Sequence, residues 1–146
     1  RNKVKYLADK NVTVQTVDRL SIAEALSEHA ARFGKTIPVL LQVNTSGEDT
    51  KSGCTPDELT ELFEKCLGCN NIYVEGLMTI GPNTDDMKTV EECFDRTHRL
   101  FEDMKNREKI KGQIKYLSMG MTNDYTLAIR HGANIVRVGR AIFGER

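Results

Sequence analysis

Short apolar segments alternate along the chain with amphipathic helical patterns, and this alternation restricts the fold more than any other feature. Five segments carry strand patterns, namely 12–17, 38–43, 72–80, 114–119 and 135–138. The second of them is almost wholly apolar, which is typical of a strand covered on both faces of a parallel sheet. Because helical patterns separate the segments, we predict right-handed βαβ units and a parallel sheet in an α/β fold.

Start signals for helices lie between these strands. Ser21 opens a sequence of the capping-box form, which predicts a helix start at that residue. Thr55 precedes Pro56, and proline at the first helical position predicts a second start. Further helices are predicted after the strands 72–80 and 114–119, and a short one after Gly139.

Two architectures fit this order of elements. They are an open doubly wound sheet and part of a (β/α)8 barrel. An open sheet that binds a nucleotide usually has a glycine-rich loop after its first strand, and residues 17–20 contain no glycine. A barrel often binds phosphate on the loops after its last two strands. The chain has candidate loops at both places, so the barrel fits and the open sheet stays an alternative.

Composition limits the classes of partner. The 146 residues suit a single domain, and the 21 basic and 21 acidic side chains give no net charge. A neutral balance offers no electrostatic footprint for nucleic acid, and the apolar runs are too short to span a bilayer. Cys66 and Cys69 form a CxxC pair without the second pair that a zinc site needs. We therefore expect reduced cysteines, no metal site, and a cytoplasmic protein without nucleic-acid or membrane partners.

Two glycine-containing loops near the C-terminal end are candidates for binding an anion. Gly139 and Arg140 follow the last predicted strand and open a short helix, whose free N–H groups would favour a negative charge. The loop 118–122 offers the hydroxyl of Ser118 and the flexible backbone of Gly120. Both glycines could instead serve only tight turns, so spacing alone leaves a phosphate clamp and simple turns as alternatives.

Arg137 is unusual because it lies between two valines inside a predicted apolar strand. An unpaired charge is unfavourable in such surroundings. Either the guanidinium reaches solvent at the strand end, or it faces an acceptor atom of a ligand.

The polar loop 44–53 is long for a βα connection, and its Lys51 is either an ammonium near the site or a solvated side chain. Met78 and Thr79 end the third strand and face the same rim, or belong to the core.

Several motifs in a fixed order carry a resemblance to a known family. They are Gln42-Val43-Asn44 with Lys51-Ser52-Gly53, Glu75-Gly76-Leu77-Met78-Thr79-Ile80, Leu117-Ser118-Met119-Gly120-Met121-Thr122-Asn123-Asp124, and Val136-Arg137-Val138-Gly139-Arg140-Ala141-Ile142-Phe143-Gly144. In combination they resemble the pyridoxal phosphate homeostasis protein family. The resemblance covers residues 1–146 as a single domain. It implies the later part of a fold-type-III (β/α)8 TIM barrel, like the N-terminal domain of alanine racemase, with about five of eight parallel strands.

The resemblance also implies roles for individual residues in binding pyridoxal 5'-phosphate (PLP). Ser118 and the backbone of Met119 would contact the phosphate, together with the backbone N–H groups of Gly139 and Arg140. Arg137 would face the pyridine nitrogen and keep it unprotonated, because two positive charges repel. That weakens the ring as an electron sink and suits a carrier or a racemase more than a transaminase. Position 140 is usually a small hydroxyl residue in the family, so arginine there is a departure.

The family's function, by this resemblance, is PLP homeostasis. The family carries and buffers the cofactor without robust catalytic turnover, so we expect no enzyme, and PLP-dependent apoenzymes are the expected partners. A PLP-dependent amino-acid racemase and a barrel enzyme acting on a phosphorylated metabolite stay as alternatives. The family's Schiff-base lysine lies in an SKxxP-like motif that residues 1–146 do not contain. We therefore expect this chain to hold the phosphate half of the site but not that lysine.

Overall fold

The computed structural model describes residues 4–7, 10–48, 50–107 and 113–144. Within them, four parallel strands form a sheet in the order β1-β2-β3-β4. The strands are β1 (Val14–Val17), β2 (Ile37–Gln42), β3 (Ile72–Met78) and β4 (Tyr116–Ser118). The helices are α1 (Leu20–Ala31), α2 (Pro56–Cys66), α3 (Met87–Lys105), α4 (Tyr125–Arg130) and α5 (Arg140–Phe143), preceded by a 3-10 helix at Val4–Tyr6. The predicted alternation of parallel strands and helices is confirmed.

The sheet has two chemically different faces, because successive side chains of a strand point to opposite sides. Leu41, Leu77 and Leu117 are fully buried and pack with the apolar side chains of the helices, so we call theirs the helix-side face. The opposite face carries Leu40 and Met78, which are buried apart from the helix core, and several polar side chains. The members of this inner face used below are Gln15, Leu40, Gln42, Glu75, Met78 and Ser118.

The two predicted helix starts have different outcomes. Thr55 caps α2 as predicted: its Oγ1 accepts a hydrogen bond from the Glu58 N–H (3.3 Å), and the Glu58 carboxylate accepts one from the Thr55 N–H (2.9 Å). The start at Ser21 is wrong, because α1 begins at Leu20 without a side-chain cap. The carbonyl of Arg19 accepts from the N–H groups of the third and fourth residues after it, so the first turn closes before Ser21 can act as a cap.

Gly76 allows β3 and β4 to approach closely. A Cβ atom at this position would overlap the carbonyl oxygen of Tyr116 on the neighbouring strand. The register between β2 and β3 also shifts here, between Val39 and Leu40. The strand therefore continues through its glycine to Met78 and carries a bulge there.

The fifth predicted strand, at 135–138, is wrong in its regular form. Ile135 makes a single parallel bridge to Ser118, and its N–H donates to the Leu117 carbonyl at 3.2 Å. Two residues later, the Arg137 N–H donates to the carbonyl of Gly120 (2.9 Å). Gly120 has a φ of 92°, a left-handed conformation that bends the chain away from the strand direction. The segment thus follows β4 through hydrogen bonds without forming a continuous ladder.

Within the described ranges, no helix combines the length and apolar composition needed to cross a bilayer.

Candidate functional site

A cavity of about 540 Å³ lies beyond the C-terminal ends of β3 and β4. This is the edge at which parallel α/β sheets usually bind ligands, because the loops after the strands converge there. The walls come from the loop after β3, the loop after β4, and the segment that leads into α5. The lining includes Lys51, residues 80–85 and 121–124, Arg137, Gly139 and Arg140.

The charged groups around this cavity favour an anion. The described lining contains three cationic side chains, those of Lys51, Arg137 and Arg140, and two carboxylates, those of Asp85 and Asp124. The Asp124 carboxylate already accepts a hydrogen bond of 2.6 Å from the N–H of Met121. The surplus of positive charge makes an anionic ligand the better fit for this wall.

The guanidinium of Arg137 is fixed by two hydrogen bonds. One terminal nitrogen donates to Ser118 Oγ and the other to the carbonyl oxygen of Thr79, each at 2.8 Å. The side chain is half-buried, and loss of hydration lowers the pKa of Arg137, an effect that the charge of Asp124 opposes. The guanidinium therefore turns toward the protein at the cavity wall and not out to bulk solvent, and that it faces an acceptor atom of a ligand stays a prediction.

Ser118 and Met119 do not line the cavity. Ser118 has no exposed surface, and its Oγ donates to Gln15 Oε1 at 2.7 Å while it accepts from Arg137. The Met119 side chain is buried in the helix-side core, and its N–H donates to the Ile135 carbonyl at 3.2 Å. The structure thus brings Ser118 to Arg137, whereas a contact of either residue with a phosphate stays a prediction.

Gly139 and Arg140 do line the cavity. Their backbone N–H groups donate to no atom of the described residues. Gly139 has a φ of −115°, and a Cβ atom there would meet nothing within 4 Å. The Arg140 guanidinium donates to Asn123 Oδ1 (3.0 Å), and the Ala141 N–H donates to Thr122 Oγ1 (3.3 Å). The two loops of the predicted rim therefore meet, with free donors and open space beside the glycine.

Sequence reasoning missed two parts of this site. Gln15 contacts Ser118 across the sheet, and its sequence position indicated only a polar residue in a strand pattern that alternates apolar and polar side chains. The loop 80–85 forms much of one wall, although no part of it was predicted to line the site. Thr79 was predicted either to face the rim or to belong to the core. Its side chain is fully buried and does not line the cavity, whereas its carbonyl accepts a hydrogen bond from Arg137.

The sequence comparisons agree with the motif-based resemblance. Residues 1–146 match the model of the family described as alanine racemase, N-terminal domain. The chain is 42% identical over 145 residues to the pyridoxal phosphate homeostasis protein of Pasteurella multocida, and the match covers 99% of this chain. The chain spans 62% of the length of that relative.

Solved structures confirm the fold. A protein of Bifidobacterium adolescentis, described as unknown, superposes with a TM-score of 0.89 at 37% identity, covering 97% of this chain and 56% of that one. PipY of Synechococcus elongatus PCC7942, solved without PLP, gives a TM-score of 0.88 at 26% identity. The superposition covers 98% of this chain and 66% of the PipY chain. The predicted barrel portion of the alanine racemase N-terminal type is therefore confirmed.

Proposed function

Because this chain belongs to the alanine racemase N-terminal domain family, we propose that it contributes the phosphate and pyridine-nitrogen side of a PLP site. The protein would hold the cofactor in the cytoplasm and pass it to PLP-dependent apoenzymes. The observation that carries this proposal is the fixed guanidinium of Arg137 at the wall of a cationic cavity. The name of the Pasteurella multocida relative, a pyridoxal phosphate homeostasis protein, supports the choice of cofactor and role.

The residues present fit this cofactor. A cavity of about 540 Å³ lies within the range of small-molecule sites. The free N–H groups of Gly139 and Arg140 and the guanidinium of Arg140 offer donors for a phosphate dianion. The hydroxyl of Thr122 lies beside them, in contact with the Ala141 N–H. These groups would hold the phosphate, and the open space at Gly139 would let it approach the backbone.

When bound, PLP supplies an aldehyde that combines with amines and a pyridine ring that can accept electrons. Arg137 would face the ring nitrogen with its positive charge. A second positive charge on that nitrogen would be repelled, so the arginine would keep the nitrogen unprotonated. A ring held in this state is a weaker electron sink, which supports a role in holding the cofactor over one in extensive catalysis.

The second candidate is an amino-acid racemase, because the family takes its name from alanine racemase. The same residues would bind PLP in both cases, so cofactor binding does not separate them. An assay of D- and L-amino-acid interconversion does. Sustained turnover would favour the racemase, and its absence in a PLP-loaded protein supports the carrier.

The proposed site is tested by titrating the protein with PLP and following absorbance and fluorescence. Replacing Arg137 with methionine should weaken binding at least about tenfold, because a hydrogen bond to a charged group is lost. Arg130→Met is the matched control, since Arg130 is exposed on α4 and lies outside the cavity lining. Equal affinity in both variants would contradict the assignment of Arg137. Pyridoxal that binds as tightly as PLP would contradict the phosphate site.

A further inference from the structure

A chain of hydrogen bonds crosses the inner face of the sheet and ends on Arg137. Gln15 on β1 accepts from Ser118 on β4, and Ser118 accepts from the arginine. The strands β1 and β4 are the outermost of the four, so this contact spans the concave side of the sheet. It joins residues 103 positions apart in the sequence.

The chemistry of the three groups fixes the direction of these bonds. A guanidinium only donates hydrogen bonds, so Ser118 Oγ must accept from Arg137. The single hydroxyl proton of Ser118 then needs an acceptor of its own, and Gln15 Oε1 lies 2.7 Å away. Removing this acceptor leaves the buried hydroxyl proton of Ser118 without a partner. The hydroxyl would then rotate, and its lone pairs would no longer be directed at the guanidinium of Arg137.

The other terminal nitrogen of Arg137 has an equally well-defined partner. This partner is the carbonyl of Thr79, the residue that follows β3. The Thr79 hydroxyl donates to the Val43 carbonyl at 2.8 Å. The same hydroxyl contacts Thr45 Oγ1 (3.2 Å), which contacts Thr97 Oγ1 on α3 at 2.7 Å. All three threonines are fully or almost fully buried. The guanidinium is therefore held between a network tied to α3 and the Gln15–Ser118 pair.

We propose that Gln15 is a positioning residue for Arg137 and acts through Ser118. By accepting the hydroxyl proton, it directs the lone pairs of Ser118 to the guanidinium and fixes the plane of that group at the cavity wall. In this role, Ser118 accepts a hydrogen bond from Arg137 and orients its guanidinium. The identity of the ligand group that faces Arg137 rests on the proposed function, whereas the positioning itself does not require a cofactor.

The test is NMR of the arginine side chains in the full chain without PLP. Two fixed partners hinder rotation about the Nε–Cζ bond, so Arg137 should give separate signals for its terminal N–H groups. In Gln15→Leu, we expect this rotation to speed up about tenfold, as the bond from Arg137 to Ser118 weakens. Gln15→Glu keeps an oxygen acceptor and should restore slow rotation. Ser118→Ala should speed rotation as well, and the double variant Gln15→Leu/Ser118→Ala should go no further than Ser118→Ala.

Gln42→Leu is the matched control, because Gln42 is also on the inner face but donates to the Ser52 carbonyl. Its Arg137 signals should match those of the wild type. Unchanged rotation in Gln15→Leu or in Ser118→Ala would overturn the positioning role, and either variant suffices if the other does not fold. Equal acceleration in Gln42→Leu would also overturn it, by showing a general loosening of the sheet. A failure of PLP to bind would instead count against the proposed function alone.

Discussion

The two faces of the sheet differ in what their buried side chains contact, even at neighbouring residues. On the helix-side face, Leu117 is fully buried among apolar side chains of the helices. On the inner face, the next residue, Ser118, is equally buried but makes two hydrogen bonds. The helix-side face stabilises the fold through apolar burial. On the inner face, the buried Ser118 instead binds the charged guanidinium of Arg137. Stability and site geometry are thus separated by one step along a strand.

The largest expected effect comes from truncating the helix-side face. Leu117→Ala should lower the free energy of unfolding by about 2–5 kcal/mol, because it removes buried methyl groups and leaves a cavity. Ser118→Ala should cost only about 1–2 kcal/mol, since Arg137 keeps its bond to Thr79 and borders a cavity open to water. Chemical denaturation of both variants measures the difference. Equal losses would show that the two faces do not divide the work in this way.

A pair of glycines sharpens the same contrast. Gly76→Ala should destabilise the chain by about 1–3 kcal/mol, because the added methyl group overlaps the Tyr116 carbonyl and forces β3 and β4 apart. Gly139→Ala should change the free energy of unfolding by less than about 0.5 kcal/mol, since the new methyl group meets open space. It should nevertheless weaken PLP binding by filling the space at the free N–H groups. A stable Gly76→Ala variant would contradict the close approach of the strands.

The buried thiols of the helix-side core make stability depend on pH. Burial raises the pKa of Cys54 and of Cys66 from 9.0 to about 12. The unfolded chain therefore loses these protons at lower pH than the folded chain does. The contribution of these two thiols to the free energy of unfolding is fully present below pH 9. It should fall between pH 9 and about 12, by at most about 1.4 kcal/mol per pH unit for each thiol. Denaturation at several pH values checks this, and Cys66→Ala should reduce the slope. An unchanged slope in that variant would contradict the assignment.

Local features of this molecule were predictable from its sequence. The cap at Thr55 depends on residues three positions apart, and the strand patterns depend on alternation within a few residues. The same locality explains the error at Ser21, because the carbonyl of Arg19 offers a competing start that the pattern does not distinguish. The fifth strand failed because its pairing depends on the bend at Gly120 in a different segment.

The candidate site was predictable only in outline. Arg137 stood out because a charge inside an apolar segment needs a partner, and the glycines marked the loops beside it. Its actual partners, Ser118 Oγ and the Thr79 carbonyl, depend on which side chains the curvature of the sheet brings together. Gln15 lies on β1, at the opposite edge of the four-stranded sheet from β4 with its Ser118, so no local pattern could connect the two residues.

The central claim, that the cavity beyond the C-terminal ends of β3 and β4 presents Arg137 and the N–H groups of Gly139 and Arg140 to PLP, is tested most directly by an NMR titration. The ¹⁵N-labelled chain is titrated with PLP while the backbone signals of Gly139 and Arg140 and the side-chain signal of Arg137 are followed. We predict that these signals move together and saturate at one concentration, while the backbone amide of Cys66, at the C-terminal end of α2 and outside the cavity lining, moves little. Saturable shifts confined to other residues, or no shifts at all, would contradict the account.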